Sequence, residues 1–269
     1  MTAISAFITK DWIGTASDSL VIEFHPKKNE ISQIDFKKSK IVPIRKFKAA
    51  AAFWGLAKVE KWNTYDFLIA QAAKADSFTS FEDFANTLKA QLENKLNSIP
   101  VTNPDHKGIG IHLVGFESIN NQDVPELFLI SNYTDLSYSH VGELAISRRL
   151  FDTLPDELKT DATSIEKKRE KIMAFLNDGK AFIFNNGDPI LFMPVANTVL
   201  TIFNVVRTRN VLKTGEETFA KFVSSPIEII KNIQKGFFDK KYIRVGGKIH
   251  NLLITKRGDF ISSTGDNRF

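Results

Sequence analysis

The chain has 269 residues, 43% of them hydrophobic and 25% charged, with 36 Lys and Arg against 31 Asp and Glu and no cysteine. That length supports one domain with a full core, and the missing cysteine excludes a disulfide framework, a thiolate metal site and a cysteine nucleophile. The net charge of +5 is scattered (Lys37, Lys38 and Lys40; Lys46 and Lys48; Lys167, Lys168 and Arg169) and not gathered on one face with stacking aromatics, so no nucleic-acid partner is expected.

Ile4, Ala6 and Ile8 alternate with Ser5, Phe7 and Thr9, a pattern that predicts a strand in a sheet covered on both faces. Lys10-Asp11 supplies a turn and Trp12 to Ala16 a returning strand. Leu20 to Phe24 continues extended, Pro26 to Glu30 reads as a polar turn, and Lys40 to Ile44 and Ala49 to Trp54 read as two short strands, the second closed by Gly55. Helices follow. Val59 to Ala75 has mixed helical spacing, and Thr79 with Glu82 forms a capping box before the run Phe81, Phe84, Leu88, Leu92, Leu96.

Ile109 to Phe116 and Leu127 to Ser131 predict a strand pair joined by a polar connection, Glu117 to Pro125. A helix is expected over Ser164 to Asn177, a strand over Phe182 to Phe184, and a helix-length apolar run over Pro194 to Val206. Another helix starts at Thr214-Gly-Glu-Glu217, with Phe219, Phe222, Val223, Ile227 and Ile230 on one side and Pro226 as a kink or break. Val245-Gly246-Gly247 leads into a last strand, Ile249 to Thr255, and residues 262 to 269 form a fraying tail. Strands and helices come in segregated blocks, which points to a layered α+β fold. No repeat or linker divides the chain, so one domain is expected over residues 1 to 269.

Two targeting classes are also unexpected. The N-terminus lacks the cationic start and unbroken apolar stretch of a signal peptide, and no run approaches the roughly 18 to 20 apolar residues that span a bilayer. The expectation is a cytoplasmic protein. His25, His106, His112, His140 and His250 are isolated and make no metal-ligand spacing. Asn186-Gly187-Asp188-Pro189 is a turn signal that also allows Asp188 to lie near a ligand.

Chemistry concentrates at the start of the chain. If Met1 is removed, Thr2 carries a hydroxyl and a free α-amine on one residue, and the amine can serve as base for the hydroxyl. Asp18 lies sixteen residues further on, and Lys40 opens an apolar run. Together they describe a self-contained nucleophile with a carboxylate and a cation beside it.

These residues resemble the opening of proteasome β-type subunits and their bacterial relatives, the N-terminal-nucleophile hydrolases. Thr2, the Ala16-Ser-Asp-Ser19 element, Lys40 before an apolar strand and Gly55 stand in the family's order, and Val245-Gly246-Gly247 is similar to its late small-residue-Gly-Gly turn. The match covers about the first sixty residues well and the last thirty loosely.

The resemblance implies a four-layer α-β-β-α sandwich and hydrolysis of peptide or other amide bonds by a threonine nucleophile; no cofactor or metal is expected. Thr2 would attack a carbonyl, and its α-amine, of pKa about 8 when unperturbed, would take the proton. Lys40 would lower that pKa, Asp18 would hold Lys40, the Gly55 N–H would be the oxyanion donor, and Phe53 would face the pocket beside the nucleophile. A homo-oligomeric ring is implied, with an unfoldase as a possible partner.

The chain departs from the family at three places. Tyr242 and Val245 stand where it has a supporting Asp and Ser, and the mid-chain Ser has only Ser137, Ser139 or Asn186 as candidates. Two alternatives therefore accompany the hydrolase reading: a non-catalytic proteasome-like scaffold or binding subunit, and an amidase acting on a small metabolite.

Overall fold

The computed structural model describes residues 3–25, 30–35, 39–99, 103–135, 140–186, 189–208, 216–238 and 245–262. Strands β1 (Ile4–Ile8) and β2 (Trp12–Asp18) form the expected hairpin, with β1 buried at every position. They belong to a five-stranded sheet with β11 (Phe182–Asn186), β12 (Ile249–Thr255) and β13 (Phe260–Ser262), in the order β11-β1-β2-β12-β13.

The other sheet has eight strands. Its path β10-β9-β8-β6-β3-β4 joins β3 (Leu20–His25), β4 (Glu30–Asp35), β6 (Ala49–Val59), β8 (Ile109–Ile119), β9 (Gln122–Tyr133) and β10 (Val141–Arg148). β5 (Ile41–Ile44) and β7 (Trp62–Asn63) pair on β6 beside that path. Pairing is antiparallel except between β3 and β6, which run parallel.

Five α-helices are described: α1 (Thr64–Ala72), α2 (Phe81–Ser98), α3 (Ile165–Asn177), α4 (Pro189–Thr208) and α5 (Glu216–Phe237). The apolar side chains sort into three clusters. In one, Phe81, Phe84, Leu88 and Leu92 of α2 and Leu68 of α1 meet Phe53 and Ile111 of the larger sheet. A second joins the two sheets, with Ile4, Ile8 and Ile13 against Ile41, Ala52 and Trp54, and includes Ile172 and Leu176 of α3. The third sets Phe203 of α4 and Phe219, Val223, Ile227 and Ile230 of α5 against Phe7 and Leu253 of the smaller sheet. Burial at about 25 cal/mol per Å² of apolar surface makes these clusters the main stabilising term.

Several boundaries differ from the sequence expectation for identifiable reasons. The cap of α2 is Ser80, not Thr79; its side chain accepts the Asp83 N–H at 3.0 Å, so the capping pair sits one residue later. Helix α1 starts at Thr64 and not at Val59, because Glu60 takes a left-handed turn (φ 51°) and Asn63 caps the helix. The connection from β8 to β9 is only Asn120-Asn121, both at positive φ, so it is a tight hairpin and not a long polar loop. β4, β10 and β13 have no counterpart in the sequence reading. Pro226 lies within a continuous α5. Of the expected turn Pro26 to Glu30, Glu30 begins β4 instead; residues 26–29, the start of the last helix at Thr214 and the tail beyond residue 262 lie outside the described residues.

Around β10 a buried ionic network holds α3 in place. Glu126, fully buried on β9, accepts from Arg169 of α3 at 2.8 Å and pairs with Arg148 of β10 at 3.3 Å; Arg169 also reaches Glu117 at 2.7 Å. Burial pushes the Glu126 carboxyl above its ordinary range against the pull of Arg148 and Arg169.

Candidate functional site

Ser19 separates β2, in the smaller sheet, from β3, in the larger one. Asp18 ends β2, and Lys40 stands just before β5, so these two residues approach each other from different sheets. Both are completely buried, and the Lys40 Nζ lies 2.5 Å from the Asp18 Oδ1. Lys40 also donates to the Leu20 carbonyl, the first residue of β3, at 2.7 Å. A buried ammonium is tolerated only when paired and hydrogen-bonded, and this one meets both conditions.

Asp18 does more than hold Lys40. Its Oδ1 accepts the Ala3 N–H at 3.0 Å, its own N–H donates to the Ala3 carbonyl at 3.1 Å, and its Oδ2 accepts the Gly246 N–H at 3.0 Å. One carboxylate thus ties together the start of the chain, a lysine from the facing sheet and the late glycine turn. Thr2 lies outside the described residues; the described fact is that the amide following it is fixed on Asp18.

The late turn is clamped from both sides. The Ser19 N–H donates to the Gly246 carbonyl at 3.3 Å, and the Ser19 Oγ accepts the Lys248 N–H at 2.8 Å. From α5, the buried Gln234 Oε1 accepts the Val245 N–H at 2.9 Å and Lys231 donates to the Gly247 carbonyl at 2.5 Å. Gln234 and Lys231 escaped the sequence reading. Gln234 left one signal, being a polar residue in register with the apolar stripe Val223, Ile227, Ile230.

Gly55 does not close its strand. It lies inside β6 at φ +82°, where the strand changes partners: residues 49 to 55 pair with β8, and from Leu56 onward β6 pairs with β3. A Cβ there would come within 2.3 Å of the Gly108 carbonyl oxygen and 2.5 Å of the Tyr133 hydroxyl, so the packing of β6 on the neighbouring strands by itself requires glycine. Phe53 is fully buried in the cluster shared with α1 and α2, and its N–H donates to the Lys40 carbonyl at 3.3 Å.

Val245 is an apolar side chain fully buried in the cluster that holds Ala3, Ile227 and Ile230. Asn186 contacts His112 in the space between the sheets, Nδ2 to Nε2 2.5 Å, and Ile4 is its register partner. Burial, aided by the positive Arg149, lowers the His112 pKa to about 3, so the ring is neutral. Ser137, Ser139, Asp188 and Tyr242 lie outside the described residues.

Among the described residues no group of three or more His, Asp or Glu is arranged to hold a metal, and no helix is long and apolar enough to cross a membrane. An open cleft of about 640 Å³ lies at the far end of β2, lined by Asp11, Trp12, Asp123, Lys256, Arg257 and Asp259; its Asp123 is already paired with Lys48 at 2.7 Å. It is separated from Asp18 by the length of the strand.

No protein-family model and no curated protein matches this chain. Among solved structures the fold is similar to Anbu (ancestral beta-subunit) from Yersinia bercovieri, with a TM-score of 0.52 and 11% identity over 99% of this chain and 89% of that one. At that identity the likeness is one of fold alone, a mixed α/β arrangement of two sheets and five described helices.

Proposed function

We propose that this chain is a proteasome-like hydrolase of amide bonds whose nucleophile is Thr2, exposed when Met1 is removed. The observation that carries the reading is the Asp18 carboxylate, which accepts the Ala3 N–H and the Lys40 ammonium on one oxygen and the Gly246 N–H on the other. That arrangement holds a buried cation beside the residue that follows Thr2. A fixed cation disfavours protonation of a neighbouring α-amine and leaves it a free base for the Thr2 hydroxyl.

In this reading the Thr2 Oγ attacks the amide carbon while the α-amine takes its proton. The proton passes to the departing amine, an ester to Thr2 remains, and water hydrolyses that ester. Gly55 supplies the oxyanion donor. The Phe53 N–H points to Lys40 and the Leu56 N–H points the other way, to the Gly108 carbonyl at 2.7 Å. Alternation along a strand then turns the Gly55 N–H to the Lys40 side. The three apolar clusters, helix on sheet, sheet on sheet and sheet on helix, support a four-layer α-β-β-α sandwich. Assembly into a homo-oligomeric ring belongs to the same reading and rests on the likeness to an ancestral beta-subunit.

The apolar burial of Val245 favours a second reading, a non-catalytic subunit on the same fold. Intact mass separates the two. Loss of one methionine and a single adduct at Thr2 after treatment with a β-lactone, absent in Thr2→Ala, is the expected result. Retained Met1 with no adduct would leave the scaffold reading standing.

A further inference from the structure

We infer, resting on the hydrolase reading, that the site takes a compact amide, with one residue or a small acyl group on the carbonyl side, and not an extended peptide. A peptide presented to the Gly55 N–H as an added strand needs an unpaired edge along β6. That edge is occupied on both sides of Gly55. On the approach, β5 pairs with β6 from Ala49 to Ala52, and the Phe53 N–H is taken by the Lys40 carbonyl. Beyond Gly55, β3 pairs with β6 through Ile22 opposite Leu56, Glu23 opposite Lys58 and Phe24 opposite Val59.

The β3 pairing is reinforced by a cross-strand ion pair, Lys58 to Glu23 at 2.6 Å. On the opposite edge β6 is filled by β8 up to Gly55, and the Leu56 N–H goes to the Gly108 carbonyl. Between the last β5 register partner, Ala52, with the Phe53 N–H beside it, and the first β3 partner, Leu56, lie two residues, roughly 7 Å of extended chain.

A carbonyl bound at the Gly55 N–H with three or four residues in strand conformation behind it would have to displace β3. Extra residues on the carbonyl side therefore make no ladder bonds and contribute no binding in the transition state.

The test uses the full chain with Met1 removed and a panel of coumarin amides that share the residue at the scissile bond and carry one, two, three or four residues before it. The expected kcat/KM is highest for the one-residue amides and stays level or falls with length. A rise of about tenfold or more from one residue to four, the gain that added strand contacts produce, overturns the inference. A small β-lactone that acylates Thr2 together with such a rise leaves the nucleophile intact and removes only the compact-substrate claim. No turnover of any member and no acylation of Thr2 overturns the hydrolase reading and this inference with it.

Discussion

Replacing Asp18 with Asn tests the centre of the site without changing its shape. Asp18 and Lys40 are both completely buried and 2.5 Å apart, so the substitution takes the neutralising carboxylate away from an ammonium held in the core. Breaking a buried pair from one side costs about 3 to 5 kcal/mol. The amide also brings an N–H donor where two backbone donors, Ala3 and Gly246, now point at carboxylate oxygens, and an unmade buried hydrogen bond adds about 1 to 3 kcal/mol. The two terms share one side chain and do not add fully, so Asp18→Asn is expected to lose about 4 to 6 kcal/mol, a large part of the total stability of an ordinary domain. Urea denaturation of the wild type, Asp18→Asn, Lys40→Met and the double variant measures the loss and the coupling. A coupling of about 3 kcal/mol is expected, because removing both charges relieves the stranded one. A loss below about 1 kcal/mol, or a coupling near zero, would refute the reasoning that this pair is buried and mutually dependent.

Two further outcomes follow from the geometry. His112 is neutral in the fold, with a pKa lowered to about 3, whereas in the unfolded chain it titrates near 6.5. Below pH 6.5 the unfolded state takes up a proton that the folded state refuses, so stability falls as the pH drops from 6.5 towards 3. The loss amounts to about 2 kcal/mol between pH 7 and pH 5. His112→Gln should lack that part of the acid limb; parallel limbs for variant and wild type would sink the assignment. Gly55→Ala should cost at least about 2 kcal/mol in denaturant titration, since the new methyl meets the Gly108 carbonyl at 2.3 Å on backbone already at φ +82°. A variant as stable as the wild type would show that β6 does not run as described.

The local elements were legible where periodicity is strong. The run Phe81, Phe84, Leu88, Leu92, Leu96 is buried as its spacing required, and the helix expected over Ser164 to Asn177 forms as α3, Ile165–Asn177. Elements that depend on distant partners were not legible. β10 forms where Ala145 to Arg148 pair with β9, and nothing within its own eight residues announces that partner. Gly55 read as a strand end, but here it lies inside β6 at the point where the strand passes from one set of partners to another.

The candidate site divides in the same way. Sequence alone, through spacing and resemblance, selected Thr2, Asp18, Lys40 and Gly55, because chemistry at a chain start needs those residue types wherever the chain goes. Only the tertiary structure decided that Asp18 and Lys40 come from different sheets and are buried together, and that Gly246 from the far end of the chain completes the carboxylate's bonds. It alone also decided that β3 fills the edge beside Gly55. The reason is physical. A spacing records which side chains are near along the chain, whereas burial, charge pairing and edge occupancy arise from strands that meet after long loops have closed, and their register is set by the combined apolar fit of both sheets.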